Sequence, residues 1–145
     1  MRYEDLSVGL AFTSPSRTIT ESDVVSFAGL TGDFYQLHTS EEFARNSEYG
    51  GRIAHGLLGL SYAHGLMWAR TGQLDECIVA FLGISEWRFT APIRLGDTVH
   101  VDYTVAELRP STSREDRAVA VFEVEVRNQH EDLVQCGYKS LLLSR

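Results

Sequence analysis

Cysteine is scarce in this chain. There are two, Cys77 and Cys136, far apart and without CxxC spacing. That argues against a disulfide framework or a cysteine-built metal knot and leads us to expect buried thiols in a reducing compartment. Basic residues are also few: 13 Lys and Arg against 20 Asp and Glu give a formal charge of −7. A general nucleic-acid binder would show a basic stripe, so that class is set aside. A few local arginines could still hold an anionic small molecule. Long apolar runs are missing. The longest stretch free of Asp, Glu, Lys and Arg, Ile53 to Ala69, contains Gly56, Gly59 and Gly65. It falls short of the roughly 20 apolar residues of a membrane span, so no membrane partner is expected. The opening residues Met1-Arg2-Tyr3-Glu4-Asp5 carry acids early and do not read as a signal peptide, so a cytoplasmic location is expected. GxSxG, Walker-type and GxGxxG patterns do not occur, which weakens lipase, nucleoside-triphosphatase and dinucleotide-binding readings.

What is present suits one domain over residues 1–145. A chain of that length buries roughly 68–70% of its unfolded surface and needs no metal or disulfide to fold. Residues up to Ile19 include Pro15 and allow at most one short edge strand. Thr20 with Asp23 three residues on reads as a helix cap, and Val24, Val25, Phe27, Ala28 and Leu30 continue that helix until Gly32. A second short helix is expected from Ser40 to Asn46. A central helix from Ala54 to Ala69 is apolar almost all round and belongs in the middle of the fold, wrapped by other elements.

The second half alternates. Val99, Val101, Tyr103 and Val105 form one strand face, Ala118, Ala120, Phe122, Val124 and Val126 another. An apolar run at Ile78 to Leu82, continuing to Trp87 and Phe89, and a last run from Leu133 to Leu143 complete four strands. Turn signals at Pro92 with Gly96-Asp97, at Arg109-Pro110-Ser111 and at Asn128 to Asp132 separate them. Helices first and antiparallel strands after predict an α+β fold, one buried helix lying across a curled sheet. Edge-to-edge dimerisation is one common cover for its edge strands.

Two stretches carry candidate chemistry. Asp33 and His38 lie five residues apart after Gly32. They could share a water and move its protons, or Asp33 could cap a turn while His38 sits idle. His55-Gly56 opens the central helix. Its first N–H groups lack partners, and glycine lets a ligand approach them. A thioester carbonyl could bind there, its growing negative charge favoured by the helix dipole. Against this, Gly56 could be a packing glycine and His55 a core histidine. Ser61, on the same helix, could hydrogen-bond the reacting groups or bond back to the carbonyl four residues earlier. His64, His100 and His130 show no metal-ligand spacing.

Taken together, Gly32-Asp33, Leu37-His38 and Gly51-Arg52-Ile53-Ala54-His55-Gly56, with Arg88-Phe89, Pro92 and Gly96-Asp97 further on, resemble the MaoC-like dehydratases. This is the (R)-specific enoyl-CoA hydratase group of the hotdog fold. The resemblance implies an antiparallel sheet wrapped around the long helix. It implies hydration of a trans-2-enoyl thioester to the (R)-3-hydroxyacyl thioester, or the reverse. By position, Asp33 and His38 would bind the catalytic water, the Gly56 N–H would polarise the thioester carbonyl, and Ser61 would support the site. No metal or redox cofactor is implied. Coenzyme A, or an acyl carrier, would be part of the substrate, with Arg52, Arg88 and Arg94 as candidates for its phosphates. Tyr35 and Gln36 stand where the family usually has asparagine and proline, so Tyr35 could narrow or reline the acyl pocket. Arg17, Arg45 or Arg70 near that pocket would favour a dicarboxylic acyl group. A homodimer or dimer-based oligomer is expected. An acyl-CoA thioesterase and a non-catalytic acyl-binding hotdog subunit are the alternative readings, because a fold alone does not fix a function.

Overall fold

The computed structural model of this chain describes residues 1–69 and 73–145. After a 3-10 turn (Tyr3–Asp5) come two short strands, β1 (Ala11–Thr13) and β2 (Arg17–Thr18). Four helices follow: α1 (Glu21–Thr31), α2 (Gln36–Thr39), α3 (Glu41–Arg45) and α4 (Gly56–Met67). Four long strands close the chain: β3 (Ile78–Phe89), β4 (Thr98–Pro110), β5 (Arg117–Arg127) and β6 (Leu133–Ser144). Every pairing is antiparallel, in the order β1-β4-β5-β6-β3, with β2 also on β4. This is the α+β hotdog architecture, a sheet packed against a central helix.

Strand alternation explains the core. Val99, Val101, Tyr103 and Val105 of β4, Phe122, Val124 and Val126 of β5, and Leu141 and Leu143 of β6 are all buried. So are Leu58, Ala63, Leu66 and Met67 of α4. Each buried Val, Leu, Phe or Met among them contributes about 1.5–3 kcal/mol on leaving water. The helix is buried on one face only: Leu57 is 59% exposed, and Ser61 is exposed as well. Among the described residues no helix is long and apolar enough to cross a membrane.

The Thr20–Asp23 capping box forms reciprocally, Asp23 N–H donating to Thr20 Oγ1 at 3.2 Å and Thr20 N–H to Asp23 Oδ2 at 2.9 Å. Burial opposes ionisation of Asp23. The Thr20 N–H, the Tyr62 hydroxyl and Arg17 outweigh it and hold the carboxyl below its ordinary range.

Three features depart from expectation. Two short strands, not one, precede Ile19. Between them Ser14 keeps the ladder closed, its N–H donating to Val101 O at 2.8 Å and its Oγ accepting from Val101 N at 2.9 Å. A single helical turn, α2, forms at Gln36–Thr39, where no helix was expected. The central helix starts at Gly56 and stops at Met67, inside the expected Ala54–Ala69. The runs at Ile78–Leu82 and Trp87–Phe89 belong to one strand, β3, interrupted by three register shifts against β6. Near the third, Glu86 takes φ 52°. Those shifts break the alternation along β3. β3 also forms one edge of the sheet and leaves Val79, Phe81, Leu82 and Phe89 substantially exposed.

Candidate functional site

Local backbone rules place the first carboxylate. Gly32 ends α1 in the left-handed conformation, φ 79°, with its N–H donating to Ala28 O at 2.8 Å. Asp33 therefore enters a loop, where its Oδ1 accepts from Tyr35 N at 3.2 Å. The α2 turn then brings His38 round to the segment before α4. That segment is pinned to the Ile93–Arg94 backbone: Ile53 bridges Arg94, and Ala54 N–H donates to Ile93 O at 2.7 Å.

The histidine tautomers follow from their partners. His38 Nδ1 lies 2.8 Å from the Ile53 carbonyl oxygen. A carbonyl only accepts, so Nδ1 carries the hydrogen and Nε2 presents a lone pair. His55 Nε2 lies 2.9 Å from the Asp33 carbonyl oxygen, so this nitrogen donates and Nδ1 is left an acceptor. His55 Nδ1 is buried without a hydrogen-bond partner. The two rings stack, centroids 3.9 Å apart and planes 28° apart.

A carboxylate oxygen of Asp33 and one ring nitrogen each of His38 and His55 all lie within 4.8 Å of one another. Two imidazoles and a carboxylate can ligate a metal. The same set can also hold a water and move its protons.

These groups face a cavity of about 540 Å³ that Gly56 and Gln135 also line, with Tyr49, Phe89 and Ile93 among its apolar walls. Among the described residues no lysine or arginine lines it. As the first residue of α4, Gly56 brings an N–H without intrahelical partner to the cavity. A Cβ there would meet Phe89 Cε1 at 2.8 Å, so the ring closes over the bare Cα. Gln135, 2% exposed on β6, donates through Nε2 to Gly56 O at 3.0 Å and accepts from Trp87 Nε1 at 3.2 Å. Gly59 makes room for this amide, and a Cβ at Gly137 would strike Trp87. Nothing in the sequence pattern marked Gln135. Its one available signal was a polar residue inside the apolar run of β6.

Other expected residues lie elsewhere. Ser61 is exposed and donates to Leu57 O at 2.8 Å, the back-bond rather than a site contact. Tyr35 does not line the cavity; its ring packs edge-on to His38 at 6.0 Å and to Phe43 at 6.0 Å. Arg52 bridges Glu21 at 2.8 Å and Glu41 at 2.7 Å, a strut between α1 and α3. Arg88 is exposed on β3. Arg94 is exposed beside the cavity, donating to the Tyr49 carbonyl at 2.6 Å. Arg17 stacks on Tyr62 and pairs with Asp23, and Arg45 pairs with Glu42. Arg70 lies outside the described residues.

With this geometry in hand, comparison with known proteins is specific. The MaoC like domain family matches residues 8–128. The 3-hydroxybutyryl-CoA dehydratase of Methylorubrum extorquens is 43% identical over 77% of this chain and 68% of its own length. The (R)-specific enoyl-CoA hydratase of Rhodospirillum rubrum is 34% identical over 74% of this chain and 72% of its own. Among solved structures, the monoamine oxidase regulatory protein of Archaeoglobus fulgidus superposes with a TM-score of 0.92 at 34% identity, over 100% of this chain and 95% of that one. The chain belongs to the MaoC-like family.

Proposed function

We propose that this chain is a hydro-lyase that adds water to a trans-2-enoyl thioester to give the (R)-3-hydroxyacyl thioester, or runs the reverse dehydration. The names of its relatives, a dehydratase and an (R)-specific hydratase, support the reaction class. The observation that carries the reading is the tautomer of His38. Its Nδ1–H is committed to Ile53 O, so Nε2 is left with a lone pair, and the ring shares the site with the Asp33 carboxylate.

In this reading the water sits between Asp33 and His38. Its oxygen bonds to C3 while His38 Nε2 takes one of its protons, and Asp33 accepts the hydrogen bond of the other. The imidazolium, stabilised by Asp33, then returns a proton to C2. Negative charge grows on the thioester oxygen as water adds, and the Gly56 N–H and the α4 dipole meet it. Gln135 fixes that donor by holding the Gly56 carbonyl. Arg94, exposed and held to the Tyr49 carbonyl at the cavity wall, is our candidate for the phosphates of coenzyme A.

Residues 1–145 act as one MaoC-like unit in this proposal, and two copies pair as a homodimer through the apolar edge of β3. Val79, Phe81, Leu82 and Phe89 supply the surface that needs cover. Both cysteines are free, which suits a reducing compartment such as the cytoplasm. The test is hydration of crotonyl-CoA by wild type and Asp33→Asn. The variant is expected to lose activity about 10²–10⁴-fold, and equal rates would remove Asp33 from the mechanism.

A further inference from the structure

Lys139 is the unexplained charge of this molecule. It lies on β6, is 2% exposed, and no carboxylate among the described residues pairs with it. Its Nζ has the Met67 thioether at 3.8 Å, the Trp68 ring at 4.5 Å and the Phe81 ring at 5.4 Å. A thioether is a weak acceptor, and buried ammonium groups are ordinarily paired with an anion. Burial alone pushes the group down to about 8. Lys139 and His64 line a second, small cavity of about 10 Å³ with Leu60, Met67, Ile84 and Trp87, about the space of one oxygen atom.

The two cavities share no lining residue, but both border helix α4 and strand β3. Helix α4 and strand β3 run past each other in opposite directions. Gly56 lies against Phe89 at one end, Leu60 shares the small cavity with Ile84 and Trp87 in the middle, and the His64 and Phe81 rings meet at 5.1 Å at the other. Eight helical residues separate Gly56 from His64, a rise of about 12 Å. An extended chain at about 1.3 Å per bond covers that distance in about nine bonds. Phe81 and Ile84, on the sheet edge, form the outer side of this α4–β3 seam.

We propose that Lys139, with His64 beside it, is a specificity residue for the far end of the acyl group, and that the preferred substrates are enoyl thioesters whose chain ends in a carboxylate. The inference rests on the hydration reading above. The thioester carbonyl binds at Gly56, the chain follows the α4–β3 seam, and the terminal carboxylate supplies the anion that Lys139 lacks. It also relocates the cation that a dicarboxylic substrate needs: Arg17 and Arg45 are tied up elsewhere, and Lys139 is not.

The experiment compares two trans-2-enoyl-CoA series of matched length up to about ten carbons, one ending in methyl and one in carboxylate, on wild type and Lys139→Met. The expected result is at least a tenfold higher kcat/KM for the carboxylate series in wild type at the longer lengths. Lys139→Met loses that preference. Equal kcat/KM for the two series at every length, or a preference that survives the substitution, overturns the proposal. If no enoyl-CoA is hydrated, including crotonyl-CoA, the hydration reading is what fails. Calorimetric binding of saturated acyl-CoAs with and without the terminal carboxylate to wild type then decides the subsite by itself. Tighter binding of the carboxylate form supports it and equal binding overturns it, with no need for the variant to fold.

Discussion

His38 and His55 stack at 3.9 Å, and each donates one ring N–H to a backbone carbonyl on the other side of the site. His38 holds Ile53, which leads into α4. His55, at the start of α4, holds Asp33, which follows α1. The pair thereby ties the loop carrying the carboxylate to the helix carrying the N–H donor. The distance between proton-transfer groups and thioester donor is set by two hydrogen bonds rather than by side-chain rotamers alone.

His55→Phe separates these roles. It keeps a ring against His38 and removes the bond to the Asp33 carbonyl, worth about 1 kcal/mol. It also removes a buried acceptor that has no partner, which offsets part of that loss. Stability by urea denaturation is expected to change by less than about 1 kcal/mol, while kcat falls about tenfold or more because Asp33 is no longer held. Unchanged kcat would show that the tie does not position the carboxylate.

Gln135→Glu tests the link to Gly56. An ionised carboxylate cannot donate to the Gly56 carbonyl, whereas a protonated one can, and burial favours the protonated form. The ratio of variant to wild-type kcat is expected to be low near about pH 8 and to recover toward about pH 5.5. Gln135→Leu, which cannot donate at any pH, is expected to give a flat, low ratio. A flat ratio for both variants would mean that Gln135 acts by packing only.

Lys139 makes stability depend on pH. Its folded value of about 8 lies below the unfolded 10.5, so the folded state binds fewer protons between the two. The burial penalty is complete below about pH 8 and fades as pH rises through that window. The gap corresponds to about 3 kcal/mol. Chemical denaturation between about pH 7 and pH 10.5 is expected to show wild type gaining stability relative to Lys139→Met as pH rises. Parallel curves would contradict a lowered value for Lys139 in the folded protein.

Much of this was legible in the residues. The Thr20–Asp23 cap and Gly32 fixed the limits of α1, because short-range backbone chemistry decides them. β4 and β5 followed from two-residue alternation and β6 from a run between turn signals, while register shifts hide the period in β3. α2 was missed because a one-turn helix has no room to show a period. The groups around the cavity divide the same way. Asp33, His38 and Gly56 are near one another in a recognisable motif. Gln135 and Lys139 reach their positions only through the pairing of β6 with β3 and β5, which no local pattern announces. Ser61 fitted the motif by position, yet its hydroxyl is spent on Leu57 O.

The most direct measurement follows the absorbance of the enoyl thioester on mixing crotonyl-CoA with wild type and with His38→Ala, while free thiol is titrated in parallel. Loss of the absorbance in wild type, slowed about 10²–10⁴-fold in His38→Ala and with no thiol released, is the expected result. Thiol release, or equal rates in the two proteins, would contradict hydration by a His38-activated water.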